Sequence, residues 1–364
     1  MKTFKCTCGQ LIFFENVTCV ACGRELGFLP DDLRVSSLEP FQNGLFKAAG
    51  NGANSQSYKK CQNYSKESVC NWMIPTGSSD AQNNDPFCIS CRLNQTIPDL
   101  SIERNRPLWQ RMESAKRRLI YSLLNLKLPI ANKADDPQRG LAFAFLSDAT
   151  KPDGSLSKIM TGHNNGLITL NLDEADDGTR ETIRQSMKEP YRTLLGHFRH
   201  ESRHYYWDRL VRGTRFVEPF RALFGNEEAD YGAALQKYYS SGAPANWQDN
   251  YISAYSTSHP WEDWAETWAH FMHIHDALEI AWQFGLPGKI LRGNSVKSRF
   301  SSGQMTIEEI VAGWSELAIA LNSINRSMGL QDIYPFVVST GVVNKLRFIF
   351  DVISAGVGQE AAAS

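Results

Sequence analysis

Apolar residues recur with two different periods after residue 100, and these periods predict a mixture of helices and strands. One helix is predicted after Pro107, which suits a first helical turn, and Pro129 ends it. Its apolar residues are Leu108, Met112, Ala115, Leu119 and Leu123. Alternation predicts strands at 141–146 and 168–172, and helical periodicity returns over 307–324. We therefore expect an α+β region whose C-terminal half is helical.

The first 100 residues are more polar and contain all eight cysteines of the chain. Short strands such as 11–14 are expected among loops at 50–55 and 77–80, with much irregular structure over 29–100. The expected domains are a zinc-ribbon-type region over 1–100, a larger domain over 101–355, and a flexible tail over 356–364.

The cysteine spacing predicts two Cys₄ zinc sites, since Cys19-x-x-Cys22, Cys88-x-x-Cys91 and Cys6-x-Cys8 are close pairs. Four disulfides are the alternative, but they suit a secreted domain, and no signal peptide precedes Cys6. The simplest partition gives two quartets: Cys6, Cys8, Cys19 and Cys22, then Cys61, Cys70, Cys88 and Cys91. Four thiolates close the coordination sphere, so both zinc ions should be structural.

Composition describes an ordinary globular chain. Of its 364 residues, 42% are hydrophobic and 21% are charged, and the formal net charge is −1. This charge speaks against strong nucleic-acid binding, and no apolar run reaches the roughly 20 residues of a membrane helix. We expect a cytoplasmic protein, with signal-independent secretion as the alternative.

The segment 200–204 reads His-Glu-x-x-His within a stretch that looks helical from about 190 to 211. A helix places His200 and His204 on one face, where two imidazole nitrogens can bind one zinc ion. Glu201 can then act as general base on a metal-activated water. A catalytic zinc needs a third protein ligand, and the extended form HExxHxxGxxH is absent.

A second helix with carboxylates is the simplest source of that ligand. Glu262 and Glu266 are four residues apart on one face, so one can bind zinc while the other supports a ligand histidine. Asp263 would point about 100° away from Glu262 on a helix and is the weakest of the three.

The E-x-x-A-E segment after an HExxH helix resembles the gluzincin metallopeptidases. The strings LLGHFRHESRHYYWD and HPWEDWAETWAH more closely resemble the bacterial zinc-binding metallopeptidases that carry an N-terminal zinc ribbon. This resemblance covers about residues 1–355 and implies a zincin-like fold. It implies Glu262 as the third zinc ligand and Glu266 as its supporting carboxylate.

The gluzincin resemblance also implies two features of catalysis. A tyrosine seven residues before the ligand glutamate stabilises the oxyanion; this is Tyr255 here, with Tyr251 as a neighbouring alternative. An exposed edge strand before the HExxH helix pairs with the substrate backbone in zincins, and 167–172 occupies that place. The thermolysin-like exopeptidase motif GAMEN is absent, which favours an endopeptidase.

Several nearby side chains have simpler explanations. Asp208 lies one turn beyond His204 and either orients a ligand histidine or is a surface acid. His197 is expected to form a hydrogen bond in the pocket rather than to bind zinc. A packed helix explains His270, His273 and His275, and a solvated face explains the basic segment Arg104, Arg106, Arg111, Lys116, Arg117 and Arg118.

The sequence thus favours a zinc metallopeptidase with one catalytic and two structural zinc ions, acting on a peptide or protein substrate. The zinc-ribbon region would position the substrate or a protein partner, and we expect neither nucleic-acid nor membrane partners. The alternatives are a factor that acts on nucleic-acid-bound proteins and an interaction protein that kept the fold without catalysis.

Overall fold

A computed structural model of the chain describes residues 2–50, 55–77, 85–150, 156–157, 159–187, 193–286 and 304–363. The chain divides into two compact units. The first contains residues 1–188 with 193–198, and the second contains 199–364 with 189–192.

The first unit begins with a small hairpin and a five-stranded antiparallel sheet. Strands β1 (Phe4–Lys5) and β2 (Leu11–Ile12) form the hairpin. The sheet has the order β3-β4-β5-β6-β7, with strands Leu26–Leu29, Arg34–Pro40, Phe46–Ala48, Ser57–Lys60 and Met73–Pro75. The short helix α1 (Gln62–Ser65) joins its last two strands.

Strands β4 to β7 lie within 29–100, where the sequence predicted much irregular structure but no sheet. These strands are short, and polar residues interrupt them, so they lack a long alternating pattern. The sheet is held by an aromatic core in which Phe28 packs on Trp72 at a centroid distance of 4.3 Å. Phe14 contacts both of these rings edge-on, and Tyr121 contacts Phe28 and Phe14 edge-on, which closes the core from two further segments.

A second sheet of the first unit has the order β12-β13-β9-β8. Its strands are Gly162–Asn164, Leu167–Asn171, Ala142–Leu146 and Asn94–Thr96. The pairs β13-β9 and β9-β8 are parallel, and β12-β13 is antiparallel. Strands β10 (Ala149–Thr150) and β11 (Leu156–Ser157) form a separate hairpin. The unit also contains helices α2 (Asn105–Asn125) and α3 (Asp177–Met187).

This sheet confirms the two predicted strands but corrects the predicted role of one. Strand β13 is hydrogen-bonded to β9 on one side and to β12 on the other, so it is internal rather than an edge. The sequence could not show this, because the three residues of β12 carry no strand pattern of their own. Substrate pairing along 167–172 is thus excluded by neighbours that already use its backbone groups.

The second unit is helical in the part that the structure describes. Helix α4 (Leu194–Leu210) belongs to this unit from residue 199 onward and carries the HExxH segment there. Its predicted start near residue 190 lies outside the described residues. The helices that follow are α5 (Val217–Phe224), α6 (Tyr231–Ser241), α7 (Pro260–Gln283), α8 (Ile307–Ser327) and α9 (Thr340–Ala363). Within these ranges no helix is both long enough and apolar enough to cross a bilayer.

An aromatic core organises the second unit around α7. Trp264 and Trp268 of α7 are buried, and Tyr206 of α4 stacks on Trp268 at 5.1 Å. Phe220 and Phe348 pack on Trp264 from α5 and α9. These contacts fix α4 against α7 and so set where their polar side chains meet.

Candidate metal centres

Two helices of the second unit bring the HExxH segment and the downstream glutamates together. His200 and His204 lie on α4. Helix α7 begins at Pro260, and the ring of His259 caps it by accepting a hydrogen bond from the backbone N–H of Trp261 at 3.0 Å. This start places Glu262 in the first turn of α7, facing α4.

The side chain of Arg203 lies among the three side chains that the sequence singled out as zinc ligands. Its Nη1 contacts Nε2 of His200, and its Nη2 lies 2.8 Å from Nε2 of His204. The same Nη2 donates to Oε1 of Glu262 at 2.7 Å. The other oxygen of Glu262 lies 3.2 Å from Nε2 of His200. All three candidate ligands therefore point at one positively charged group.

Glu266 lies where the sequence placed the supporting carboxylate. Its Oε1 is 2.7 Å from Nδ1 of His200, and Ser253 donates to its Oε2 at 2.8 Å. Burial opposes ionisation of Glu266, but the hydrogen bond to His200 outweighs it and lowers the pKa to about 2. A carboxylate on Nδ1 keeps the proton there, which leaves the Nε2 lone pair to accept from the Arg203 guanidinium.

Tyr231 is a member of this group that sequence reasoning missed. Its hydroxyl donates to Oε1 of Glu262 at 2.9 Å. Burial, followed by the charge of Glu262, raises the pKa of Tyr231, so its hydroxyl stays a donor. Asp230 caps the helix that begins at Tyr231, and this Asp-Tyr helix start was the available signal.

Glu262 is nearly inaccessible, with 1% of its side chain exposed. Burial opposes its ionisation, but the positive charge of Arg203 holds the pKa of this carboxyl well below its usual range. The carboxylate is therefore charged in the interior, where a cation must balance it.

The other predicted catalytic side chains lie around this group. Glu201 is buried on α4 beside His200, and the Tyr255 ring centroid is 6.2 Å from that of His200. Burial and the charge of Glu262 raise the pKa of Tyr255, which keeps its hydroxyl protonated. Asp208 forms an ion pair with Arg212 at 3.0 Å, and its predicted role toward a ligand histidine stays a prediction.

The donor chemistry of His200, His204 and Glu262 fits zinc, since two imidazole nitrogens and one carboxylate form a common catalytic ligand set. These three side chains already converge on one cation, the guanidinium of Arg203. Across the described residues, however, only the two cysteine quartets bring all their ligand atoms within 4.8 Å of one another. The ligand atoms of His200, His204 and Glu262 are more widely spaced because the Arg203 guanidinium lies among them.

The cysteines lie in the two quartets that their spacing predicts, and none of the eight is in a disulfide. Sulfur–sulfur distances are 3.6 Å for Cys6–Cys22 and 3.7 Å for Cys8–Cys19. In the second quartet, Cys70–Cys88 is 3.8 Å. A tetrahedron with Zn–S bonds of 2.3 Å has edges of about 3.8 Å, so these quartets fit zinc in size and chemistry.

With this geometry, the comparisons with known proteins give a consistent result. Residues 105–352 match the family described as "Putative zinc-binding metallo-peptidase", and residues 3–102 match a zinc-ribbon domain. The chain belongs to this metallopeptidase family. It is 40% identical over 355 residues to uncharacterized protein Rv2568c of Mycobacterium tuberculosis H37Rv, which covers 97% of this chain and 95% of the relative. The same figures hold for uncharacterized protein Mb2598c of Mycobacterium bovis. No solved structure matches the chain.

The two quartets have different surroundings. In the first, Cys8 and Cys22 are exposed, and Arg24 lies 3.8 Å from the Cys22 sulfur. In the second, all four cysteines are buried. The buried Arg117 next to that quartet has a raised pKa: burial lowers it, but the Cys70 thiolate and Glu113 outweigh burial. Positive charge thus lies next to each thiolate cluster.

The remaining histidines have structural partners. His197 contacts Glu174 through Nδ1, in line with the expected hydrogen bond. His270 is buried on α7 and its Nδ1 lies 2.7 Å from the hydroxyl of Tyr334. His273 stacks on the same tyrosine.

The basic segment of α2 is largely neutralised within the first unit, and its predicted solvated face is only partly correct. Lys116 is fully buried and pairs with Glu113 at 2.9 Å, and Arg117 is buried against the carbonyl of Val69. The other four arginines pair with acids: Arg104 with Asp173, Arg106 with Glu67, Arg111 with Asp177 and Arg118 with Glu15. These partners reduce the positive potential that phosphates would need.

Proposed function

We propose that the chain is a zinc-dependent peptidase whose catalytic metal is bound by His200, His204 and Glu262. The observation that carries this proposal is the convergence of these three side chains on one cationic group. Membership of a zinc-binding metallopeptidase family supports a zinc site in the matched region, residues 105–352.

In this proposal, a zinc ion held by the three side chains supplies Lewis-acid polarisation of a water and of the scissile carbonyl. Glu201 takes the proton from the water and delivers it to the leaving amine. Tyr255 donates to the developing oxyanion, and its raised pKa supports that role because the hydroxyl keeps its proton. Glu266 orients His200, and Tyr231 and Glu266 together fix the ligand side chains.

The two cysteine quartets hold structural zinc in this proposal, which gives one catalytic and two structural ions per chain. A zinc-ribbon region over 1–100 and a catalytic domain over 101–355 belong to the same proposal, as do the role of Asp208 and the endopeptidase assignment. The residues expected to form a flexible tail over 356–364 continue helix α9 as far as Ala363. The substrate class is a peptide or protein, and the zinc-ribbon region is assigned to positioning it or a partner.

The decisive experiment compares wild-type protein with Glu201→Gln on a proteome-derived peptide library, with cleavage products identified by mass spectrometry. We expect wild-type cleavage that disappears in Glu201→Gln, with zinc content unchanged at three ions. Glu218→Gln is the matched control, because Glu218 is largely exposed on α5 and its ion pair with Arg221 lies at the surface. Cleavage by Glu201→Gln at the wild-type rate would exclude the proposed base.

Elemental analysis tests the metal sites separately. We expect three zinc ions in the zinc-loaded wild-type protein and two in a His200→Ala/His204→Ala variant. Two ions in both proteins would exclude zinc at the HExxH segment.

A further inference from the structure

The side chain of Arg203 has no function in the proposed reaction, yet it contacts every proposed zinc ligand. It lies inside the motif, between Ser202 and His204, and only 1% of its side chain is exposed. Two guanidinium nitrogens reach three acceptors, namely Nε2 of His200, Nε2 of His204 and Oε1 of Glu262.

These acceptors are the lone pairs that a zinc ion would use. An arginine side chain stays protonated in proteins and offers only donors, so it can satisfy lone pairs as a metal cation does. The same lone pair cannot serve both partners, and two cations at the distances found here would repel strongly. Zinc and the Arg203 guanidinium therefore exclude each other.

The surroundings support Arg203 in this position. The contact of Glu266 with His200 Nδ1 directs the Nε2 lone pair of His200 to the guanidinium. The indole of Trp264 donates to the carbonyl oxygen of Arg203 at 3.3 Å, which holds its backbone. The side chain of Glu262 is 1% exposed, and Arg203 donates to its Oε1 at 2.7 Å, so the guanidinium is the cation that lies against this buried carboxyl group.

We propose that Arg203 is an internal cation that occupies the zinc position in the metal-free chain, and that it must leave this position before zinc binds. This inference rests on the proposed function, because it assumes that His200, His204 and Glu262 are the zinc ligands. It means that the side chain of Arg203 balances the charge of Glu262 when zinc is not bound.

The proposal requires effects of opposite sign when the guanidinium is removed. The metal-free chain should lose stability, because Glu262 and two histidines lose their partner. Zinc should bind more tightly, because no internal cation has to be displaced. A residue with a purely structural role would lower stability with and without zinc, and would not strengthen zinc binding.

The experiment measures zinc affinity at the third site of the full-length protein, with both cysteine quartets loaded, by competition with a chromogenic zinc chelator. Arg203→Met keeps much of the buried volume and removes the charge. We expect it to bind the third zinc at least roughly tenfold more tightly than wild type, and to melt at a lower temperature when that site is empty. Arg209→Met is the matched control on the same helix, where the guanidinium lies over the ring of Tyr205.

Arg203→Lys serves if the methionine variant does not fold, since lysine keeps a buried charge but lacks the planar fork that reaches three acceptors. It should also bind zinc more tightly than wild type. Equal third-site affinity in wild type and both variants would overturn the role of Arg203 and leave the peptidase proposal intact. Absence of a third zinc from wild type and variants alike would overturn both proposals.

Discussion

At the scale of single residues, the candidate site is defined by how buried charges are balanced. Glu262 receives hydrogen bonds from Arg203 and Tyr231 on the same oxygen, at 2.7 and 2.9 Å. The ring of Tyr255 lies near His200 instead, and it also packs on the ring of Tyr238 at a centroid distance of 5.7 Å. Two tyrosines beside one group of ligands should therefore have separable effects.

We predict that Tyr231→Phe weakens zinc binding at the HExxH site by roughly tenfold, because groups that orient a ligand typically contribute 10- to 100-fold to metal affinity. Competition with a chromogenic chelator on the full-length protein checks this. Tyr239→Phe, on the exposed side of the same helix, should bind zinc like wild type. Unchanged affinity in Tyr231→Phe would mean that its hydroxyl does not orient Glu262.

Tyr255→Phe should have the opposite profile, with zinc content unchanged and kcat lowered by about 10²- to 10³-fold. The reason is that a hydroxyl aimed at a developing oxyanion matters in the transition state and contributes little to metal binding. Turnover of a peptide found in the library screen measures it. A variant that loses zinc along with activity would instead assign Tyr255 to the support of His200.

At the scale of elements, the helices with strong hydrophobic periodicity were predicted correctly from the sequence. The predicted helix after Pro107 is observed at Asn105–Asn125, and the predicted helix over 307–324 is observed at Ile307–Ser327. Helical spacing placed Glu262 and Glu266 on one face, and the family resemblance implied Glu266 as the supporting carboxylate; its Oε1 lies 2.7 Å from Nδ1 of His200. By contrast, α5 and α6 were not predicted, because the segment 212–259 contains loop-like Gly and Ser runs. Tyr231, the first residue of α6, was therefore missed as well. Strand neighbours and the direction of the Arg203 side chain depend on tertiary packing, which local patterns do not encode.

His270, on helix α7, allows a prediction of how the stability of the second unit changes at acid pH. Burial lowers the pKa of His270 to about 4, while Glu266 opposes that shift and Arg199 adds to it. Because the folded pKa lies below the ordinary value of 6.5, the neutral ring favours folding above pH 6.5. That contribution is lost as the pH falls from 6.5 toward 4. Between pH 7 and 5 it amounts to about 2 kcal/mol.

We therefore expect His270→Gln, whose side chain stays neutral, to lose less stability than wild type between pH 7 and 5. Urea unfolding followed by circular dichroism at both pH values gives the difference. His163→Gln is the control, since that ring is half-buried in the first unit and accepts from the backbone of Gly166. An equal loss in His270→Gln and wild type would show that His270 does not set this pH dependence.

At the scale of the whole molecule, the chain combines metal sites of different kinds. Four thiolates would close each cysteine site, whereas the proposed histidine–glutamate site would leave a coordination position open and has the Arg203 guanidinium among its ligands. The cysteine sites should therefore be loaded whenever the protein is folded, while zinc at the third site depends on the available concentration.

The two cysteine sites should also release zinc at different rates. Cys8 and Cys22 are exposed, so a chelator can attack the first site directly, whereas the four buried cysteines of the second require local opening first. With excess chelator and a chromogenic readout, a His200→Ala/His204→Ala background should show two phases, the first at least roughly tenfold faster. Adding Cys8→Ser/Cys22→Ser should remove the fast phase only.

Loss of circular dichroism should follow the slow phase, because the buried cysteines lie beside the core helix that contains Arg117. A single phase, or a fast phase that survives the serine variant, would mean that exposure does not control release. The stability of the first unit would then depend on both zinc ions equally.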